Sequence, residues 1–328
     1  MDSSPLDGPA FAEALGTGDA PLRLAGPGGR LVTVDAHGLP DRLDDEAMER
    51  LATVPAVVAA LTDDPDRRPD WADLSCPPGR PLGTVAASVA ANPVAATVLA
   101  LLLRSGGRRS VADGLVAESL AYGLLQGGPE FARWRADRPA RRREPVPGPT
   151  VLVDRSDGAL TVTLHRPHVR NALDSAMRDE LEAALAVAAF DPSVTEVHLR
   201  GSGPSFCAGG DLDEFGTRTD PASAHLLRLL ASPARSLAGL SARTTAHLHG
   251  DAVGSGIELA AFAARVVADR DTRIALPEVA LGLIPGAGGT VSLPRRIGRH
   301  RTLSLALSGV PIDAGTARDW GLVDEVTG

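Results

Sequence analysis

Two glutamates, Glu258 and Glu278, lie in a stretch from His249 to Gly289 that is otherwise nearly uncharged and apolar. Gly254-Ser255-Gly256 precedes the first, and Gly282 with Gly286-Ala287-Gly288-Gly289 follows the second. A carboxylate pair beside glycine turns is what acid–base chemistry on a bound small molecule requires. Glu278, among Val279, Ala280 and Leu281, is expected to have a raised pKa, which suits a proton donor near neutral pH. Each residue also has an ordinary reading when taken alone. Glu258 could be a first-turn glutamate favouring the helix dipole, and Pro277-Glu278 resembles a helix start.

The elements that must position them follow from the periodicity. Val151–Asp154 and Leu160–Leu164 alternate around Ser156-Asp157-Gly158, a hairpin signal. Asp174 caps a helix to Ala189, Glu196–Arg200 is a strand, and a helix runs through Leu226 to Leu240. Thr244–His249 is a strand, a helix starts at Gly256, and short strands are expected at 266–267 and 273–276. Strand, glycine turn and helix in repeated order mark a parallel sheet with crossover helices. Two of the turns, Phe206–Asp211 and Gly250–Gly256, would each present free backbone N–H groups where negative charge is favoured. Converging, they would make an oxyanion hole; singly, each is also a tight strand-to-helix connection.

Upstream, residues 1–30 are rich in Gly, Pro and Asp and are expected to be flexible. Residues 31–137 read as a helical domain after a short strand at Leu31–Asp35. A helix from Asp44 carries Met48, Leu51, Val54, Val57, Val58 and Leu61 at helical spacing. Two more helices follow over 82–92 and 93–104, and another is capped by Ser110 and stopped by Gly127-Gly128-Pro129. The Arg/Pro-rich segment 138–149 has no apolar period and reads as a linker to a core over 150–328.

Composition narrows the function classes. A hydrophobic content of 44% with 23% charged residues is that of a globular chain with a large core. Every basic residue is an arginine, yet the net charge is -8, which argues against nucleic acid as a partner. Cys76 and Cys207 match no ligand spacing, and no metal-ligand cluster is visible. The chain starts without a basic and apolar leader, and no apolar run has the roughly 18 residues of a membrane span. The expected setting is the cytoplasm. His247 and His249, two apart on a strand, read as structural polar residues. Cys207 reads as a packed thiol, and Asp211 as the cap of the helix after the first turn.

Jointly, SFCAGGDL, HGDAVGSGIELA and LPEVALGLIPGAGGTVSLPRRIG resemble the crotonase (enoyl-CoA hydratase/isomerase) superfamily. RPHVRNALD upstream and LSGVPIDAGTARDWGLVDEV downstream fit the same pattern, so the resemblance spans roughly 150–326. It implies an α/β fold, a crotonase-like spiral core of (ββα)-type units preceded here by the small, mainly helical domain. It implies that backbone N–H groups of Gly210 and Ser255 hold a thioester oxygen. Glu258 would activate water and Glu278 protonate the α-carbon. Ala208, Gly209, Asp211, Arg170, Ala172, Gly254, Gly256, Pro285 and Gly286 would line the substrate site. Isomerases of the family usually keep only the second glutamate, so the pair favours hydration of a 2-enoyl-CoA. Isomerase, thioester hydrolase, cofactor-independent aryl-acetyl-CoA dioxygenase and a partner-dependent acyl-CoA-binding subunit are the alternatives. Coenzyme A enters as part of the substrate, with no separate cofactor or metal. A homo-oligomer (trimer or hexamer) or a complex with a partner subunit is expected. Typical members lack the N-terminal helices and continue past GLVDEV with a helical tail. Here the N-terminal helices or a partner are expected to close the acyl pocket, or the chemistry has diverged.

Overall fold

The computed structural model describes residues 5–25, 30–64, 67–76, 83–138 and 147–328. The N-terminal region comprises α1 (Gly8–Leu15), α2 (Ala20–Leu24), β1 (Leu31–Asp35), α3 (Asp45–Leu51), β2 (Val57–Leu61), β3 (Leu74–Cys76), α4 (Gly83–Ala91), α5 (Pro93–Gly106), α6 (Val111–Gln126) and α7 (Pro129–Ala136). Two expectations are corrected here. Residues 5–25 are ordered: Asp7 caps α1 by accepting from Ala10 N, and Phe11 and Leu15, one turn apart, are buried. Phe11 packs on Trp71 with ring centroids 5.2 Å apart. The domain is mainly helical, as expected, but the helix expected from Asp44 through Leu61 is not one element. Helix α3 stops at Leu51, and Val57–Leu61 is the middle strand of a parallel sheet ordered β1-β2-β3. Pro55 and the β-branched pair Val57-Val58 favour the strand, although Val54, Val57, Val58 and Leu61 also fit a helical period. Of the expected linker, residues 139–146 lie outside the described residues.

The core follows as β4 (Val151–Ser156), β5 (Ala159–Leu164), α8 (Ser175–Phe190), β6 (Glu196–Gly201), α9 (Pro221–Leu230), α10 (Pro233–Leu240), β7 (Thr244–Leu248), β8 (Asp251–Val253), α11 (Ser255–Ala260), β9 (Arg265–Asp269), β10 (Arg273–Ala275), α12 (Gly289–Ser308), β11 (Ile312–Asp313), α13 (Ala314–Trp320) and β12 (Glu325–Thr327). One sheet is ordered β12-β9-β7-β6-β5-β4 and a smaller one β11-β10-β8. The β4–β5 hairpin is antiparallel, as the alternation around Ser156-Asp157-Gly158 requires, and β5, β6, β7, β9 and β12 run parallel. The single helix expected through 226–240 is two helices, because Ser232 caps a new start with Pro233 in its first turn.

The N-terminal helices share the core's apolar interior. Leu99 and Leu103 of α5, Leu115 and Leu125 of α6 and Phe131 of α7 belong to one buried cluster with Leu293, Ile297 and Leu303 of α12. Each such side chain contributes about 1.5–3 kcal/mol through burial. Gly114 lets α6 approach α12 closely: a Cβ there would stand 2.8 Å from Val291 Cγ2. Polar anchors add to this. Asp73, almost fully buried, accepts from Arg104 Nε at 2.8 Å and pairs with Arg299 of α12 at 3.4 Å.

Candidate active site

The first glycine turn is fixed from two sides. Asn171 is fully buried and donates to Ser202 O and Ser205 O at 2.8 Å, while its Oδ1 accepts from Arg166 N. Arg166 pairs with Asp174 at 3.0 Å and Asp211 at 3.1 Å. Backbone bonds Ala208 N to Arg170 O, Leu173 N to Gly209 O and Asp211 N to Leu173 O join the loop to the turn. On the other side the turn runs parallel to β8, with Cys207 N donating to Asp251 O and Val253 N to Cys207 O. Gly209 lies against Val253 and Gly254, and Gly210 and Ser255, the first residue of α11, both line one cavity. The amides of that first turn have no intrahelical acceptor. Gly254 just before it has φ 51°, and a Cβ there would collide with Glu278 Oε1.

Both glutamates are buried in the molecule's interior, 2% and 8% exposed, yet both reach a cavity of about 330 Å³. Glu258 Oε2 accepts from Ala287 N at 2.7 Å and Gly289 N at 2.9 Å, so the second glycine turn orients it. Glu278 begins a 3-10 turn, Glu278–Leu281, and its Oε2 is buried with no hydrogen-bond partner. Glu278 lines the cavity, so an unpartnered buried oxygen belongs to one of its wall residues, an arrangement that calls for an explanation. Burial pushes the Glu278 carboxyl up to about 7. Glu258 is raised by burial first and then by the neighbouring Glu278 and Glu118. Close carboxyls titrate as a set and hold protons together. Two N–H donors on Glu258 Oε2 act against that rise and favour the negative charge.

The cavity gathers Gly210, Asp211, Ser255, Glu258, Glu278 and Gly286. Ala172, Ala208, Gly209, Gly254, Gly256 and Pro285 lie behind these, in the backbone that shapes the turns, and do not line it. Arg170 also lies outside the lining: its side chain is 66% exposed and pairs with Asp251 at 3.5 Å. Asp211 does not cap a helix, since the next one starts at Pro221; it anchors Arg166 and accepts from Asp213 N. The burial of Cys207, which pushes its thiol up to about 11, makes it inert. His247 contacts His198 at 3.1 Å and His249 contacts Gly203 O at 3.0 Å, both away from this cavity.

Sequence reasoning missed Glu118, Tyr122 and Arg228. Glu118 of α6 is 2% exposed and accepts from Gly288 N, Thr290 N and Thr290 Oγ1 at 2.7–2.8 Å. Burial pushes its carboxyl up to about 7. Tyr122, one turn on, covers Gly286: a Cβ on that glycine would stand 2.5 Å from the ring. The one available signal was a glutamate in the middle of the apolar run VADGLVAESLAYGLLQ. The N-terminal region therefore supplies part of the cavity wall, one of the closures anticipated above.

Comparison with known proteins bears on the same segment. Residues 154–328 match the family model for enoyl-CoA hydratase/isomerase. The chain is 37% identical over 178 residues to the 2,3-dehydroadipyl-CoA hydratase of Escherichia coli, covering 54% of this chain and 68% of that protein. It is 34% identical over 177 residues to a probable enoyl-CoA hydratase of Mycobacterium tuberculosis, with the same coverage of 54% and 68%. Among solved structures, the enoyl-CoA hydratase from Thermoplasma volcanium superposes with TM-score 0.51 at 34% identity, covering 55% of this chain and 72% of that one. With its strand order, glycine turns and buried glutamates in place, the chain belongs to the enoyl-CoA hydratase/isomerase family of acyl-CoA enzymes.

Proposed function

We propose that the protein hydrates a 2-enoyl-CoA thioester to the 3-hydroxyacyl-CoA. The observation that carries this reading is the pair of buried carboxyls on one cavity, Glu258 tied by two backbone donors and Glu278 with a free oxygen. Water adding to the β-carbon pushes electrons through the C=C bond onto the thioester oxygen. The N–H groups of Gly210 and Ser255 stabilise that oxyanion, each worth about 10²–10³ in rate by analogy with other oxyanion holes. Glu258 takes a proton from the attacking water, and Glu278 gives one to the α-carbon. The net change is addition of H and OH across the double bond, with one proton moving from one glutamate to the other. Solvent exchange restores the pair.

The experiment is a panel of short- and medium-chain enoyl-CoAs, followed by loss of the conjugated-thioester absorbance and by product mass. A mass gain of one water is the expected result. A folded protein that leaves the whole panel unchanged contradicts the reading.

A further inference from the structure

Arg228 of α9 stands where two cavities meet. The larger carries Glu258 and Glu278; a second, of about 120 Å³ and walled by Leu115, Leu229, Pro233 and Leu259, shares Arg228 with it. The half-buried guanidinium is held only by neutral acceptors among the described residues. Nε donates to Ser119 Oγ at 3.0 Å, Nη1 to Gln126 Oε1 at 3.0 Å and Nη2 to Ser119 O at 3.1 Å. The Tyr122 ring lies 4.9 Å from its central carbon. Arg178, which lines the same two cavities, is by contrast engaged by the Asp179 carboxylate at 2.7 Å. Glu118 is the acid on the neighbouring turn of α6, but Gly288 and Thr290 occupy both its oxygens.

A guanidinium has five N–H donors, so two remain. Glu118 acts on this partly desolvated cation through space, but no carboxylate hydrogen-bonds it among the described residues, and such a cation is costly unless it is paired directly. The Tyr122 hydroxyl, on the same wall, makes no hydrogen bond among the described residues. An apolar acyl chain would have to pass the guanidinium to enter the smaller cavity; an anionic one would stop at it. Burial raises both glutamates, which lessens the negative charge they set against an anion in the cavity.

We propose that Arg228, with Tyr122, holds a carboxylate at the far end of the acyl group, so that the substrate class is CoA monothioesters of dicarboxylic acids. This rests on the acyl-CoA reading of the cavity given above. The planar fork of arginine suits a carboxylate in two-point contact.

Saturated thioesters test it by binding alone, independently of turnover. Dissociation constants for adipyl-CoA, hexanoyl-CoA and free CoA are measured by calorimetry on the wild type, Arg228→Met and Tyr122→Phe. The wild type is expected to bind adipyl-CoA about tenfold or more tightly than hexanoyl-CoA. Arg228→Met is expected to erase that preference while leaving free CoA unchanged, and Tyr122→Phe to reduce it. Equal affinity of the wild type for the two thioesters overturns the proposal. So does an Arg228→Met variant that weakens CoA and both thioesters alike, which would assign the arginine to the nucleotide. If Arg228→Met does not fold, an undiminished preference in Tyr122→Phe overturns it. A wild type that binds neither CoA nor either thioester overturns the acyl-CoA reading itself.

Discussion

Three buried carboxyls lie close enough to influence one another, and what each does follows from its partners. Glu258 has two N–H donors on one oxygen, Glu278 has an oxygen with none, and Glu118 has three donors. The Glu278 carboxyl, raised to about 7, must be protonated to act as the acid. kcat/KM is therefore expected to fall as pH rises past about 7, by about tenfold per unit at the limit; a profile flat to pH 9 contradicts this. Glu118→Ala leaves two buried N–H groups and a hydroxyl unpaired, a loss of about 2 kcal/mol or more, read as a lower Tm. The pH sense of that stability is also fixed. In the unfolded chain the carboxyl releases its proton near about 4.3, but in the fold only near about 7. Between those values the folded state holds the extra proton, so raising pH favours unfolding. The stability of wild type relative to Glu118→Gln is expected to fall as pH rises through this window. A difference independent of pH would mean that Glu118 is ionised throughout.

At the scale of elements, the site is a set of turns pressed together, and most of them were legible in the sequence. The β4–β5 alternation, the strand at Glu196–Gly201 and the glycine clusters beside Glu258 and Glu278 announced themselves locally. Elements whose identity depends on distant contacts did not. Val57 and Leu61 satisfy a helical period and a buried strand equally, and only pairing with β1 and β3 decides between them. Helix α1 hid in a Gly/Pro-rich stretch because two apolar residues, Phe11 and Leu15, suffice once Trp71 is there to receive them. Glu118 had no local signal of its role, since its partners are some 170 positions further on. The contact between α6 and the glycine turn is tight enough to test. Gly286→Ala would drive a methyl into the Tyr122 ring, 2.5 Å away, and overpacking of this kind costs about 1–3 kcal/mol. A lower Tm together with weaker acyl-CoA binding is expected; unchanged values for both would mean that α6 is free to shift.

For the whole molecule, the N-terminal region is structurally continuous with the core. Leu99, Leu115 and Phe131 are buried in the same cluster as Leu293 and Leu303, and Asp73 joins Arg104 to Arg299 across the boundary. A fragment of residues 147–328 would expose that face of α12. It is expected to aggregate or to bind a hydrophobic dye, whereas a monomeric fragment with a cooperative melt would show the core to be independent. The central claim is that two glutamates on one cavity add water across an enoyl thioester. The most direct measurement is hydration of an enoyl-CoA in deuterated water, with the label located in the product by NMR. The wild type is predicted to place one deuterium on the α-carbon, on a single face, and Glu278→Gln to bind the thioester but yield no labelled product. Undiminished labelling by Glu278→Gln, or no labelled product from the wild type, would contradict the account.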